Sequence, residues 1–237
     1  MAAVGITGYS FNRVTSGQAI SGYGLTGSLG NRKLVALLLT SANSNINFSR
    51  VYFHNGGSGV DLVPIFNSSI LVSSDPLGYI RMSGYYLDRP PINHLCQIIA
   101  TFTSALGPYN YGCLGVYSLN NAKQGSVSYN NWAYYELVPS IYIGGIQPTS
   151  DNSIHLSLVS CEGEVNTPTP GQGLSLDEGN TLWWTSGAMG HENRTDSSSD
   201  GIQWVGQGSI EYMAASVINV SYSKGVKRYQ RCFSNIG

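Results

Sequence analysis

Charged side chains are scarce in this sequence. Asp, Glu, Lys and Arg make up 11% of the 237 residues, with 12 basic and 13 acidic side chains and a net charge of −1. Soluble domains usually carry about 25%. The chain therefore has no overall field to draw it to nucleic acid. Its surface must be built from Ser, Thr, Asn, Gln, Gly and Tyr, which suits contact with neighbouring proteins or sugars better than free diffusion as a cytosolic enzyme.

Cysteine is also sparse, and its spacing does not suggest a metal site. The four cysteines, Cys96, Cys113, Cys161 and Cys232, form no Cys-x-x-Cys pair of the kind that binds zinc. Three of them lie in apolar runs, where cysteine behaves as a small buried hydrophobe. We expect free thiols, no metal and no cofactor.

Targeting and membrane signals are missing as well. Residues 1–5 lack the basic-then-apolar profile of a secretory signal. No apolar run approaches the roughly 20 residues that cross a bilayer as a helix. We therefore expect synthesis in a cytoplasm without secretion and no membrane partner.

What the sequence does contain is a series of strand patterns. Lys33–Ser41 is a continuous apolar run, which predicts a strand buried on both faces. Ser209–Tyr222 alternates with period two, and its β-branched residues favour strand over helix. Gly112 and Gly115 within Tyr111–Leu119 predict a bulge or a close backbone approach. Strands at roughly even spacing, separated by Gly, Pro and Asn turns, predict an all-β, single-domain antiparallel β-sandwich that is jelly-roll-like with long loops.

The same patterns suggest how the chain is organised. Residues 1–31 are interpreted as an N-terminal arm plus a first strand near residues 17–26. Residues 32–222 form the predicted sandwich, with long loops at Asn120–Pro139 and Thr167–Gly201. Residues 223–237 form a basic tail, either a docking segment or an ordinary solvated terminus.

Signatures of catalysis are weak. Gly22–Gly27 matches Gly-x-Gly-x-x-Gly, but no helix pattern follows to hold a pyrophosphate. The candidate bases are His54, His94, His155 and His191, and no Gly-x-Ser-x-Gly elbow accompanies them. Carboxylates that could serve glycoside cleavage are Glu136, Glu162, Glu164, Asp177, Glu178 and Glu211. A calcium site around Glu192, Asp196 and Asp200 would not match the usual loop spacing. We expect no catalytic residues.

Aromatic clusters are the strongest candidates for binding. Trp132, Tyr134 and Tyr135 fall in one predicted loop, and Trp183 and Trp184 are adjacent in another segment. Exposed Trp and Tyr favour protein interfaces and sugar stacking, and the alternative is simple core packing. The candidate residues for partner or glycan binding are Trp132, Tyr134, Tyr135, Trp184, Lys227 and Arg228.

The order of these features resembles the β-sandwich accessory proteins of tailed-bacteriophage virions. The resemblance is carried by the buried strand at Leu34–Thr40, the Tyr-Leu-x-x-Pro-Pro step at Tyr86–Pro91, and the closing strand Tyr212–Val220. The glycine turn near Gly57, the glycine-spaced strand Tyr111–Leu119, the Thr-Ser-Asp-Asn-Ser-Ile entry to Ile154–Val159 and Ile-Gln-Trp at Ile202–Trp204 belong to the same pattern.

The resemblance implies a non-enzymatic virion structural protein. Such a protein would be a capsid decoration or tail-accessory component that oligomerises and binds coat or tail proteins. It would be assembled in the host bacterial cytoplasm. The two long predicted loops depart from the simplest members and leave the role open between cementing and adhesion. The alternatives are a carbohydrate-binding module or host-surface adhesin, and a polysaccharide-degrading enzyme.

Overall fold

A computed structural model describes most of the chain, in twelve segments. These are residues 3–27, 30–54, 56–57, 59–71, 78–92, 94–108, 110–127, 129–146, 152–171, 174–182, 185–195 and 200–223. Within them the chain forms strands and turns and no helix. The strands are β1 (Gly5–Val14), β2 (Gly17–Leu25), β3 (Lys33–Ala42), β4 (Phe48–His54), β5 (Val60–Asp61), β6 (Val63–Leu71), β7 (Tyr79–Asp88), β8 (Leu95–Leu106), β9 (Tyr111–Asn120), β10 (Tyr129–Glu136), β11 (Ser140–Ile146), β12 (Ile154–Pro170), β13 (Ser175–Leu182), β14 (Thr185–Asn193) and β15 (Asp200–Val220).

The strands form three antiparallel sheets. A central sheet has the order β1-β9-β3-β7-β6, and a four-stranded sheet has the order β2-β8-β4-β5. A six-stranded sheet has the order β10-β15-β12-β14-β13, with β11 also paired to β15. The predicted all-β class and antiparallel sandwich are thereby confirmed. The jelly-roll connection pattern stays a prediction.

The central sheet lies between the other two and is buried on both faces. Every residue of β3 and of β9 is buried. Alternate residues of β3 serve different cores: Leu37 packs with the six-stranded sheet, whereas Leu38 packs with the four-stranded sheet. This is why Lys33–Ser41 reads as an unbroken apolar run, since a strand covered on both sides has no polar face. The prediction of a doubly buried strand is confirmed.

Two long strands build a further layer on the outside of the six-stranded sheet. Residues 212–219 of β15 pair with β10, whereas residues 200–205 pair with β11. β12 stays paired with both parts of β15, and the register of this pairing shifts at Gly163, whose φ is +121°. Ile143 and Trp204 then pack over Val159 and Val217 in a third core. The outer layer is defined here as β11, residues 201–209 of β15, and residues 166–171, which are the end of β12 and the residue after it.

Three segments differ from the sequence-based expectations. Residues 1–17 were expected to form an arm, but Gly5–Val14 is β1, paired with β9 in the central sheet. The expected loop Asn120–Pro139 contains the edge strand β10, and Thr167–Gly201 contains β13 and β14. In each case Gly, Ser and Asn suggest a loop, whereas pairing with a neighbouring strand satisfies the backbone and overrides the low local propensity.

Some expectations fall where the structure gives no description. The basic tail, with Lys227 and Arg228, and the tryptophans Trp183 and Trp184 lie outside the described residues. Cys96, Cys113 and Cys161 are buried free thiols, as expected. Among the described residues, none belongs to a helix long and apolar enough to cross a membrane.

Candidate functional site

The predicted aromatic cluster lies on β10, at the edge of the six-stranded sheet. Trp132 is 38% exposed and Tyr135 46% exposed. Neighbouring residues of a strand point to opposite faces, so Trp132 and Tyr134 share one face and Tyr135 lies on the other. The Tyr134 ring packs 5.9 Å from the ring of buried Tyr212, and its hydroxyl donates to Glu136 Oε1 at 2.7 Å. The three aromatics therefore do not form one flat binding surface.

At one edge strand of each sheet, a backbone N–H group donates a hydrogen bond to a side-chain oxygen. The N–H of Phe11 in β1 donates to Glu178 Oε2 at 2.8 Å. The N–H of Tyr23 in β2 donates to Ser10 Oγ at 2.7 Å, and that of Trp132 in β10 to Asn131 Oδ1 at 2.9 Å. An unpaired edge N–H invites another strand, so these contacts work against strand addition at the three positions.

One histidine forms a hydrogen-bonded chain with a carboxylate and a buried phenol. His191 Nδ1 lies 2.7 Å from Asp177 Oδ1, and the Tyr117 hydroxyl donates to Asp177 Oδ2 at 2.9 Å. Burial, and next the nearby Asp177 charge, raise the pKa of Tyr117 well above its ordinary value. The phenol thus stays protonated as a donor. The chain runs from the half-buried imidazole inward to the core and ties β14, β13 and β9 together.

A second histidine belongs to an ion cluster at the end of the six-stranded sheet. The fully buried His155 places Nδ1 3.0 Å from Glu192 Oε2, and Arg194 donates to Glu192 Oε1 at 2.9 Å. His191 and Glu192, expected together in a loop, are instead neighbours in β14 and engage different partners. Asp196 and the side chain of Asp200 lie outside the description. Among the described residues, no group of three His, Cys, Asp or Glu side chains could hold a metal ion.

The candidate carboxylates for glycoside cleavage are held in separate contacts. Asp177 binds Tyr117 and His191, Glu178 accepts from the backbone of Phe11, and Glu136 accepts from Tyr134. The contacts of Asp177 and Glu178 join different strands, whereas the contact of Glu136 lies within β10. The described contacts pair no two of these three carboxylates with each other.

Sequence analysis missed a polar cluster inside the sandwich. The Tyr111 and Tyr212 hydroxyl oxygens lie 2.7 Å apart, and Tyr212 donates to Ser41 Oγ at 2.7 Å. Desolvation is the largest cause that raises the pKa of each tyrosine well above its ordinary value. The pair joins the central sheet to the six-stranded sheet. The sequence feature that could have predicted this cluster is the presence of tyrosines inside otherwise apolar strands.

Sequence analysis also missed the main exposed apolar surface. Leu25 and Leu95 are direct cross-strand partners in the four-stranded sheet, exposed by 53% and 59%. Ile92, at 58% exposed, precedes β8, and the Thr26 hydroxyl donates to the carbonyl of its neighbour Pro91 at 2.5 Å. We call Leu25, Ile92 and Leu95 the aliphatic patch. Its signal is an apolar residue at an outward position of an alternating strand.

Comparison of the chain with protein-family models, with curated proteins and with solved structures finds no match. The argument for function therefore rests on these surfaces and on the resemblance in feature order.

Proposed function

We propose that this chain is a non-enzymatic virion structural protein, a capsid decoration or tail-accessory component that binds neighbouring coat or tail proteins. The observation that carries the binding part is the aliphatic patch. Leu25 and Leu95 face each other across two paired strands, Ile92 lies three residues before Leu95, and each of the three is more than half exposed. Grouped exposed apolar residues mark interaction sites, whereas single ones are ordinary. Covering each fully would contribute about 1 kcal/mol or more, because roughly half of its surface is still in water.

The rest of the molecule supports contact through surfaces and not through chemistry. Asp177, Glu178 and His191 are engaged in bonds that join strands, and one backbone N–H in each of β1, β2 and β10 is occupied by a side chain. The low charge content agrees with a surface that is covered in an assembly. The virion setting itself rests on the resemblance in the order of strands and turns.

The test is binding to phage particles or their purified coat protein, with Leu95→Asp as the variant. A buried carboxylate without a partner is strongly unfavourable, so we expect binding to weaken by at least about tenfold. Leu137→Asp is the matched control. Leu137 is 81% exposed on the connection after β10, and its φ of 53° suits Asp.

Co-sedimentation with particles and light scattering would measure the outcome. Stoichiometric binding by the wild type and by Leu137→Asp, lost in Leu95→Asp, supports the proposal. A monomer that binds no particle refutes the virion role. Equal binding by Leu95→Asp and the wild type shows that the aliphatic patch is not the contact.

A further inference from the structure

The outer layer carries no charged side chain over three adjacent strand segments. β11 reads SIYIGGI, residues 201–209 read GIQWVGQGS, and residues 166–171 read NTPTPG. Ile141, Ile143, Ile202 and Trp204 point inward to the third core. The opposite face is directed to solvent and presents Tyr142, Gln203, Val205, Thr169 and Gln207. It is an uncharged, mostly polar surface with one exposed aromatic ring.

The Tyr142 ring lies flat over two glycines. A Cβ added to Gly144 would come 2.8 Å from Tyr142 Cε1, and one added to Gly201 would come 2.7 Å from Cε2. The ring therefore covers both positions, one beneath each side of it. Tyr142 is nonetheless 50% exposed. The hydroxyl end of the ring thus covers Gly201 and its Cε1 edge borders Gly144, while half of the side chain remains in solvent.

The side-chain amide of Gln203 lies beside the Tyr142 ring and, like the ring, covers a glycine. Gln203 is the cross-strand partner of Tyr142. A Cβ added to Gly171 would come 2.8 Å from Gln203 Oε1, so the side chain lies over that glycine. Farther along the layer, Gln207 donates to Thr169 Oγ1 at 3.2 Å. The glycines at 144, 171 and 201 thus allow an aromatic plane and an amide to lie side by side.

We propose that Tyr142 and Gln203 form a binding site for a neutral carbohydrate. The face of an aromatic ring is electron-rich and attracts the weakly positive C–H groups of a sugar ring. An amide offers both a donor and an acceptor to hydroxyl groups. The absence of charge from the three segments matches an uncharged ligand, because an acidic glycan or a phosphate would find no cation there. A purely apolar protein surface would bury the Gln203 amide without partners.

This inference is independent of the virion role. It assigns carbohydrate binding to residues other than Trp132, Tyr134, Tyr135 and Trp184, the candidates taken from the sequence. The hydroxyl of Tyr142 is not required for stacking, whereas the aromatic plane is. The two test variants therefore remove either the hydroxyl alone or the whole aromatic ring.

The experiment is affinity electrophoresis of the full chain in native gels. The gels would contain soluble neutral polysaccharides (dextran, galactomannan, laminarin and hydroxyethyl cellulose), with hyaluronan as the charged comparison. We expect retardation by at least one neutral polysaccharide and none by hyaluronan. Tyr142→Phe should retain binding, and Tyr142→Leu should weaken it by about tenfold. Leucine still shields Gly144 and Gly201, so the fold is kept while the aromatic plane is lost.

Gln203→Ala provides a second variant that leaves the ring in place, and it should also weaken binding. Tyr9→Ala is the matched control, since Tyr9 is 47% exposed on β1 of the central sheet and was not a candidate for binding. Retardation lost in Tyr142→Leu and kept in Tyr9→Ala supports the site. Absence of retardation by every neutral polysaccharide, or equal retardation of Tyr142→Leu and the wild type, overturns it. So does an oligomer that Tyr142→Leu converts to monomer in light scattering, because a second copy would then occupy the face.

Discussion

Raising the pH should unfold this protein through groups that are buried in their protonated form. Burial raises the pKa of Cys161 to about 12 and that of Cys96 to about 11, both from 9.0. It raises the pKa of Tyr111, Tyr117 and Tyr212 well above 10.0. In every case the folded state retains a proton that the unfolded state releases. Stability is therefore complete below about pH 9 and falls as the pH rises through the unfolded pKa values.

The expected loss is large compared with the stability of a domain. Each such group costs about 1.4 kcal/mol for each pH unit above its unfolded pKa. The two cysteines remove about 3 kcal/mol by pH 10 and about 5 kcal/mol by pH 11, and the buried tyrosines add to the loss above pH 10. Buried Lys33 acts in the opposite sense, because desolvation lowers its pKa, whereas burial also raises the pKa of Tyr85. Domains are stable by about 5–15 kcal/mol, so unfolding near pH 11 is expected.

Urea unfolding under reducing conditions, followed by tryptophan fluorescence from about pH 8 to pH 11, measures this loss. Tyrosinate absorbance should rise in two steps, with the buried tyrosines titrating only as the chain unfolds. Tyr212→Phe should reduce the slope above pH 10 by one proton, because it removes one buried phenol. A urea midpoint that is the same at both ends of the range, or full tyrosine titration in a chain that remains folded, would refute the reasoning.

Two further predictions concern stability near neutral pH. Gly163→Ala should destabilise the fold by roughly 2–4 kcal/mol, because φ is +121° and the new Cβ would overlap the Ser209 carbonyl. Gly5→Ala is the control, because the space at its Cβ position is open. Equal urea midpoints for the two variants would contradict the explanation. Asp88→Ala should cost about 3–5 kcal/mol, because it removes the partner 2.6 Å from the Lys33 ammonium, which is 1% exposed. Lys33→Met should cost less, and the double variant should be more stable than Asp88→Ala alone in chemical denaturation.

Much of the framework was predictable because it depends on local pattern. Continuous apolar runs identify strands buried on both faces, as in β3, and β-branched alternation identifies the second half of β15. Gly112 and Gly115 were expected at close approaches: a Cβ on Gly112 would come 3.0 Å from Phe102 Cζ, whereas one on Gly115 would make only an ordinary contact with Leu158 at 3.4 Å. The alternative of a bulge at that position is not seen in the β9 pairing.

The partition of strands among sheets could not be read from the sequence. β1 and β10 carry the composition of loops, and they become strands because β9 and β15 offer unpaired edges. The contacts of Asp177 with Tyr117 and His191 join residues 60 and 14 positions apart. No spacing rule relates these residues, since their contact depends on how two sheets stack.

The binding surfaces show the same division. The clustering of aromatic residues in the sequence predicted a binding surface at Trp132, Tyr134 and Tyr135. The alternation of side chains along β10 places these residues on two different faces. Tyr142 was not chosen from the sequence, because the position of its ring depends on Gly201. Only the pairing of β11 with β15 brings that glycine beneath the ring. Residue type and period were enough to predict an all-β, weakly charged chain, and the three cysteines that the structure describes are the free thiols expected from their apolar surroundings. Which side chains reach solvent together was decided by the tertiary structure, because register and sheet stacking depend on contacts between residues far apart in the chain.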